Sequence, residues 1–305
     1  MNISRRELLT NIEAQLDPTL VTIDEAAIRA MKPDFSTFSV ASLRMPFTPA
    51  TPRDAIVYIL AQTALQYRFW DGFGDDYRRY TVGDKVGSAA MVAGFDKAWG
   101  SESTPGVGIL VCAGAPQFRS RSMPREVLEP YFGDIPDPAS RVEILHEVLC
   151  SENLAHVVDQ LDQAFRSGHV GVEQAQLISD AFPRAYADEF IKKSMLAVGL
   201  ILAEYRRAGF VCTESLMAYA DYQVPAVLRH LGILVYSKKL AAMVDGRKHI
   251  KKGSREERAI RAATIIACEM FARIFGVTAA ETDWFFWLMR KLPTLPFHLT
   301  DTTAY

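Results

Sequence analysis

Apolar residues along this chain recur mostly at three- and four-residue intervals, the spacing that places them on one side of a helix. Ser4 followed by Glu7 gives the capping pattern expected at the start of a first helix. Residues 55–69 (AIVYILAQTALQYRF) read as a buried helix, and residues 87–99 as a helix of small side chains. Residues 70–80 are aromatic, acidic and glycine-containing, the make-up of a loop. Residues 124–138 are punctuated by prolines and also read as loop. From there the pattern is helical over 141–149, 153–165, 172–182, 188–208, 225–231, 254–275 and 281–291. Two apolar runs, 107–112 between glycines and 233–236, are the strand candidates. No repeat, low-complexity tract or long linker divides the chain. The expectation is one mostly α-helical globular domain over residues 1–305, with minor short strands.

At 305 residues and 49% hydrophobic, the chain can bury a sizeable core. Its formal net charge is -2. That is not the clustered basic excess that marks a nucleic-acid partner, and none is expected. Cys112, Cys150, Cys212 and Cys268 lie far apart in apolar surroundings, as reduced core cysteines of a cytoplasmic protein do. The opening MNISRRELLTNIEAQL has no apolar stretch of the signal-peptide kind. The longest apolar run, 194–203, is too short for a bilayer, which takes about 20 residues. No membrane association is expected.

Two helices carry charges in apolar company. Lys192 and Lys193 open the most apolar helix, and Lys192 heads the row Leu196, Gly199, Leu200 and Ala203. The pair either snorkels to solvent at a helix end or contacts an anion inside a cleft. In the second helix Ser254 is the expected cap and Glu257 its reciprocal partner. Arg261 follows Glu257 by four residues and shares its side with Ile265 and Cys268. A buried guanidinium must be paired, so Arg261 is either satisfied by Glu257 or serves a site.

Chemistry enters with Asp221. Pro225 suits the first position of a helix, which puts Asp221 in the turn leading into it, near unpaired N–H groups and the positive end of the helix dipole. Such a carboxylate is favoured in its ionised form. It is either a plain capping aspartate or a group able to stabilise an oxocarbenium ion as an N-glycosidic bond breaks. Thr104-Pro105-Gly106-Val107-Gly108 has the look of a helix-hairpin-helix turn, but an apolar strand-like run follows it where a helix is required. His146, His156, His169, His230, His249 and His298 show no metal-ligand spacing, and no phosphate-binding or dinucleotide glycine motif is present. A cofactor-free, metal-free hydrolase passes these filters, and so does a non-enzymatic helical scaffold.

The run YADYQVPAVLRHLGILVYSKKLAAMVDG, followed by GSREERAIRAATIIACEMF, DWFFW and PFHLTDTTAY, resembles the queuosine salvage protein family, the queuosine 5'-phosphate N-glycosylases/hydrolases. The likeness is specific over roughly the last 90 residues. Upstream, Gln66 to Trp70 is similar to the family's N-F-x-F-W, and Phe132-Gly133-Asp134 with Arg141 and Glu147 to its F-G-D…R…E stretch. Phe182-Pro183 and Phe190 to Lys193 resemble F-P…F-x-K-R. The resemblance implies a helical fold distantly like that of DNA glycosylases. It implies hydrolysis of a small-molecule nucleotide, queuosine 5'-phosphate, to release queuine for tRNA modification, without metal or cofactor. It makes Asp221 the catalytic aspartate and Lys192 or Lys193 a 5'-phosphate contact. Phe69 and Trp70 become the aromatics beside the base, and Tyr222, Arg261, Asp283, Trp287 and His298 further substrate-binding residues. The family's D-Y-R-V-P-Q is here Asp221-Tyr222-Gln223-Val224-Pro225-Ala226, and its N-F-x-F-W asparagine is Gln66. These departures bear on the choice of base. They leave two alternatives: a divergent N-glycosidase for a related deazaguanine nucleotide, or a catalytically silent nucleotide-binding relative.

Overall fold

The structure is a computed structural model and describes residues 3–35, 49–100, 124–291 and 295–305. Among these residues there are fourteen helices and only short strands. In chain order the helices are α1 (Arg5–Glu13), α2 (Glu25–Ala30), α3 (Pro52–Ala64), α4 (Ser88–Gly100), α5 (Pro124–Phe132), α6 (Pro138–Leu149) and α7 (Leu154–Ser167). They continue with α8 (Val172–Ala181), α9 (Pro183–Tyr186), α10 (Lys192–Arg207), α11 (Gln223–His230), α12 (Lys238–Asp245), α13 (Arg255–Phe275) and α14 (Ala279–Leu288). Among the described residues there are four two-stranded pairings, and two of them join distant segments. Val21–Ile23 runs antiparallel to Leu234–Tyr236, and His169–Gly171 runs parallel to Thr213–Ser215. No single helix among the described residues is long and apolar enough to cross a membrane.

Two helices organise the core. In α10 the side chains of Ser194, Met195, Ala197, Val198, Ile201 and Leu202 are all buried, and the helix packs against α3 and α8. In α3 a capping box between Thr51 and Asp54, with Pro52 at the first position, starts a helix whose residues Ile59 to Ala64 are all buried. The other organiser is α13, capped by Ser254 at one end and stopped by Gly276 in the left-handed region (φ 71°) at the other. It packs on α1, α2, α11 and α14. One hydrophobic cluster runs through both halves, and a second, smaller one gathers Trp70, Tyr222, Leu299, Ala304 and Tyr305.

The structure departs from the sequence reading in identifiable places. Residues expected as a proline-punctuated loop form α5 and the start of α6. Pro124 and Pro138 sit at first positions, where the missing N–H costs nothing, and Pro130 falls in the last turn of α5. α10 begins at Lys192, not residue 188, because Ile191 takes a left-handed conformation (φ 42°). α11 begins at Gln223, so Pro225 is its third residue, not its first. The strand expected at 107–112 and the turn at 104–108 lie outside the described residues.

A fully buried Arg141 shows how the fold fixes the approach to the site. Its guanidinium donates to the carbonyls of Leu65 (2.7 Å), Tyr67 (2.8 Å) and Pro136 (2.7 Å) and stacks 4.1 Å above the Tyr67 ring. These bonds hold the sharp turn at Arg68 (φ 39°) that follows α3 and delivers Phe69. Glu147 does a related job, accepting the N–H groups of Arg184 (3.0 Å) and Ala185 (2.7 Å) at the start of α9. Arg141→Met strips the side-chain donor from the carbonyls of Pro136, Tyr67 and Arg68 and leaves Leu65 only the Tyr67 N–H. We predict a loss of about 3 kcal/mol or more, since each orphaned buried acceptor costs roughly 1–3 kcal/mol. Chemical denaturation checks it, and a change within 1 kcal/mol would contradict it.

Candidate active site

A cavity of about 390 Å³ opens between α3, α4, α10, α14 and the start of α11. That size is in the range of small-molecule sites. Its wall includes Phe69, Lys192, Asp221, Tyr222, Asp283 and Trp287 from the sequence-derived set. The stripe of α10 headed by Lys192 lines it through Leu196 and Leu200. Gly199, on the same helix, is needed for its smallness. A Cβ there would lie 2.2 Å from the hydroxyl of Tyr219, whose ring also walls the cavity.

Asp221 sits two residues ahead of α11 and acts as its cap. Its Oδ1 accepts the N–H groups of Gln223 (2.7 Å) and Val224 (2.9 Å). Oδ2 carries no hydrogen bond among the described residues. The expected helix dipole is present, but burial outweighs it and pushes the carboxyl above the usual range. Lys192, the two N–H groups and Arg290 pull the other way. Asp283, on α14, accepts the Tyr219 N–H (2.8 Å). Burial, then the charge of Asp221, pushes it well above the carboxylate range. Burial lowers the Lys192 ammonium, while Asp221 and Asp283 support its charge. The cavity therefore holds two carboxyls that resist ionising together and one ammonium coupled to both.

Four sequence-derived candidates lie behind the wall. Lys193 is one residue from Lys192, so on a helix it points elsewhere. Its Nζ donates to the Ala64 carbonyl (2.8 Å) at the end of α3, between the Tyr67 and Tyr186 rings. Arg261 is fully engaged: Nε donates to the Ala220 carbonyl (3.0 Å), and the other nitrogens reach Asp188 (2.5 and 2.7 Å) and Glu257 (3.2 Å). Burial alone would raise Asp188, but Arg261 outweighs it and holds that carboxyl below its usual value. His298 meets the Tyr305 hydroxyl (3.2 Å), and burial drives its imidazole down to about 3, so it is neutral. Trp70 packs on Phe73 in the smaller cluster, behind Tyr222.

The sequence reading missed several wall residues. Gln62 is buried, and its Oε1 has no hydrogen-bond partner although it faces this cavity wall. Trp284, Tyr305, Arg79 and Arg290 complete the enclosure. Arg290 lies 3.5 Å from the Trp287 ring centroid and donates to the Trp287 carbonyl (3.1 Å). A helical periodicity does signal Trp284 and Trp287, three apart on α14. Nothing local signals Arg79 or Tyr305, which reach the site through tertiary packing.

A mostly apolar, aromatic-lined space with two carboxyls of unequal acidity suits cleavage of a bond beside an aromatic base. Comparison with known proteins bears on which bond. A queuosine 5'-phosphate N-glycosylase/hydrolase of Sphaerobacter thermophilus is 33% identical over 195 residues, 57% of this chain and 59% of that protein. One of Dictyostelium discoideum is 28% identical over 210 residues, 59% of this chain and 62% of its own length. The chain thus matches about three-fifths of the length of these curated relatives. The model of the family described as "Queuosine salvage protein" matches residues 47–305, including every cavity residue named above, and the chain belongs to that family.

Proposed function

We propose that this chain hydrolyses the N-glycosidic bond of queuosine 5'-phosphate and releases queuine for salvage into tRNA modification. The supporting observation is the pairing of Asp221 and Asp283 in one cavity with Lys192 coupled to both. The names of the two relatives supply the substrate. The deazaguanine ring lies among Phe69, Tyr222 and Trp287, where aromatic faces favour a flat ligand. Gln62 Oε1 is an acceptor of the kind a base-edge N–H requires.

In this reading the two carboxyls divide the work by acidity. Asp283, the more strongly raised, holds a proton. Asp221, partly relieved by two backbone N–H groups and Lys192, is the carboxylate. As the C1'–N bond breaks, its electron pair goes to the base nitrogen, which takes the proton of Asp283. Asp221 Oδ2 faces the oxocarbenium charge on the ribose. Water then adds to C1' and gives its proton to Asp221, and transfer of that proton to Asp283 resets the site. The products are the free base and ribose 5-phosphate. Lys192 serves as the charge that lets one carboxylate persist, a different role from the 5'-phosphate contact that the family resemblance implied for Lys192 or Lys193.

The direct test is incubation with queuosine 5'-phosphate and the four common mononucleotides, with chromatography for released base. Release from queuosine 5'-phosphate alone supports the reading. Release only from another deazaguanine nucleotide supports the divergent glycosidase, and tight binding without release supports the silent relative.

Asp221→Asn should reduce kcat by about 100-fold or more, the usual cost of losing transition-state electrostatics. Its fold should persist, because the amide oxygen still accepts both N–H groups. Circular dichroism and initial rates check this. A variant retaining most of its rate would remove Asp221 from the chemistry.

The wild-type pH profile should be bell-shaped, falling on the acid side as Asp221 protonates and on the alkaline side as Asp283 ionises. Asp283→Asn should lose the alkaline limb and about 100-fold in kcat. The same substitution should stabilise the fold. A carboxyl whose folded pKa is raised contributes stability below its unfolded pKa of about 3.9, and that contribution is lost as pH climbs to the folded value. At neutral pH the variant should therefore denature at higher urea than wild type, with a flatter pH dependence. A less stable variant with an unchanged alkaline limb would contradict the assignment.

A further inference from the structure

The net charge of -2, which argues against a nucleic-acid partner, averages over a local excess of the opposite sign. Residues 247–252 read Arg-Lys-His-Ile-Lys-Lys, four cations in six positions with no acid among them. Ile250 is buried, and the other five side chains are all exposed. The run is neither a helix nor a loose tail, because its backbone is tied down along its length. Ile250 donates to the Leu299 carbonyl (2.8 Å) and Lys248 to the Met243 carbonyl (2.9 Å). The carbonyls of Arg247 and Lys251 accept the N–H groups of Gly74 and Ser254 (both 3.0 Å). The fold thus presents a fixed ribbon of positive charge. Arg247 sets one end of it beside the catalytic cavity, in a hollow it shares with Gln223 and Arg290.

The ribbon has no counter-charge of its own. Acids around it are taken by other cations: Asp245 pairs with Arg229 (2.7 Å), Glu189 with Arg258 (2.6 Å), Glu257 with Arg261 (3.2 Å) and Asp17 with Arg255. Among the described residues Arg247, Lys248, Lys251 and Lys252 form no ion pair, although Asp75 and Asp76 follow Gly74. Like charges held in one row raise the local positive potential, which draws a polyanion. Aromatic rings are interleaved with them. The His249 ring lies 4.8 Å from Phe73, and Arg247 lies 4.4 Å from Tyr77. Phe73 and Tyr77 are both half-buried. Cations alternating with aromatic faces suit a single nucleic-acid strand, which sets phosphates on the former and bases on the latter. A membrane surface requires large apolar side chains that enter the bilayer, and the ribbon exposes none.

We propose that the 247–252 ribbon is a docking surface for single-stranded RNA. Its use rests on the reading above: a 5'-mononucleotide of an RNA base must be supplied by nucleolytic cleavage that leaves phosphate on the 5' oxygen, and a protein held on the strand stands where that nucleotide is released. The affinity for RNA does not depend on which base the cavity takes. Lys248, Lys251 and Lys252 are exposed and form no hydrogen bond through their side chains among the described residues, so replacing them removes charge without disturbing the core.

The test is fluorescence anisotropy of the full chain with a labelled single-stranded RNA, with duplex RNA and with vesicles of phosphatidylserine and phosphatidylcholine as the alternatives. The single strand should bind, and log Kd should rise linearly with log salt. Combining Lys248→Ala, Lys251→Ala and Lys252→Ala should weaken binding by roughly tenfold or more. It should also flatten the salt dependence by about 2, since each single-strand phosphate contact contributes about 0.7 to the slope. Duplex RNA should bind more weakly at the same salt, because its paired bases cannot reach the rings of Phe73, Tyr77 and His249. Circular dichroism confirms that the triple variant is folded, so the result stands whether or not queuosine 5'-phosphate is cleaved. Wild-type protein that ignores RNA at low salt, or a triple variant that binds as wild type does, would overturn the proposal. So would a duplex bound as tightly as the strand, or vesicles captured in preference to RNA.

Discussion

A charge removed from water must be met by other charges or by directed hydrogen bonds, and in this fold Arg261 is where that requirement falls hardest. It lies on α13, buried, between the Phe190 and Tyr305 rings (4.2 and 4.3 Å). Asp188 answers it with both carboxylate oxygens, and Glu257 joins from one turn earlier. Each partner has a second task. Asp188 also accepts the backbone N–H of Lys192 (3.1 Å), which fixes the start of α10. Glu257 also accepts from Gly253 and from the Tyr305 hydroxyl (both 3.0 Å). Arg261 itself holds the carbonyl of Ala220, the residue before Asp221. One guanidinium thus sets where Lys192, Asp221 and Tyr305 stand, although it touches no cavity space.

The same burial that demands pairing at Arg261 leaves the cavity carboxyls under-served. Asp283 has a single backbone donor, and Asp221 spends one oxygen on capping α11. Both are pushed toward their neutral forms, Asp283 further. A structural ion-pair network would not leave such a pair beside an open space. Here it sets two identical side chains apart in acidity.

Much of this was legible in the sequence because it is local. The helical period placed Lys192, Leu196 and Leu200 on one face, and all three line the cavity. The spacing of Glu257 and Arg261 foretold their ion pair (3.2 Å). The short sequence 104–108 and the strand at 107–112 remain expectations. Proline misled where it opened helices at Pro124 and Pro138, since a first-position proline and a loop proline look alike without the helix that follows. The helical period set Lys193 off that face, but nothing local showed that its ammonium would go to the Ala64 carbonyl. Asp188 gave no sign that Arg261 would turn to it, and Arg79 and Arg290 lie too far from Asp221 in sequence for any period to bring them to its cavity. Resemblance to a family supplied Asp283, and tertiary packing explains it.

The account turns on the claim that one cavity holds two carboxyls of unequal acidity. Carbon-13 NMR of labelled aspartate side chains, assigned with the Asp221→Asn and Asp283→Asn variants, reads that property in the resting protein. Both resonances should titrate above the ordinary carboxylate range of about 3.9, with Asp283 the higher, and removing Asp221 should bring Asp283 down. Two carboxyls titrating independently near the ordinary value would contradict it.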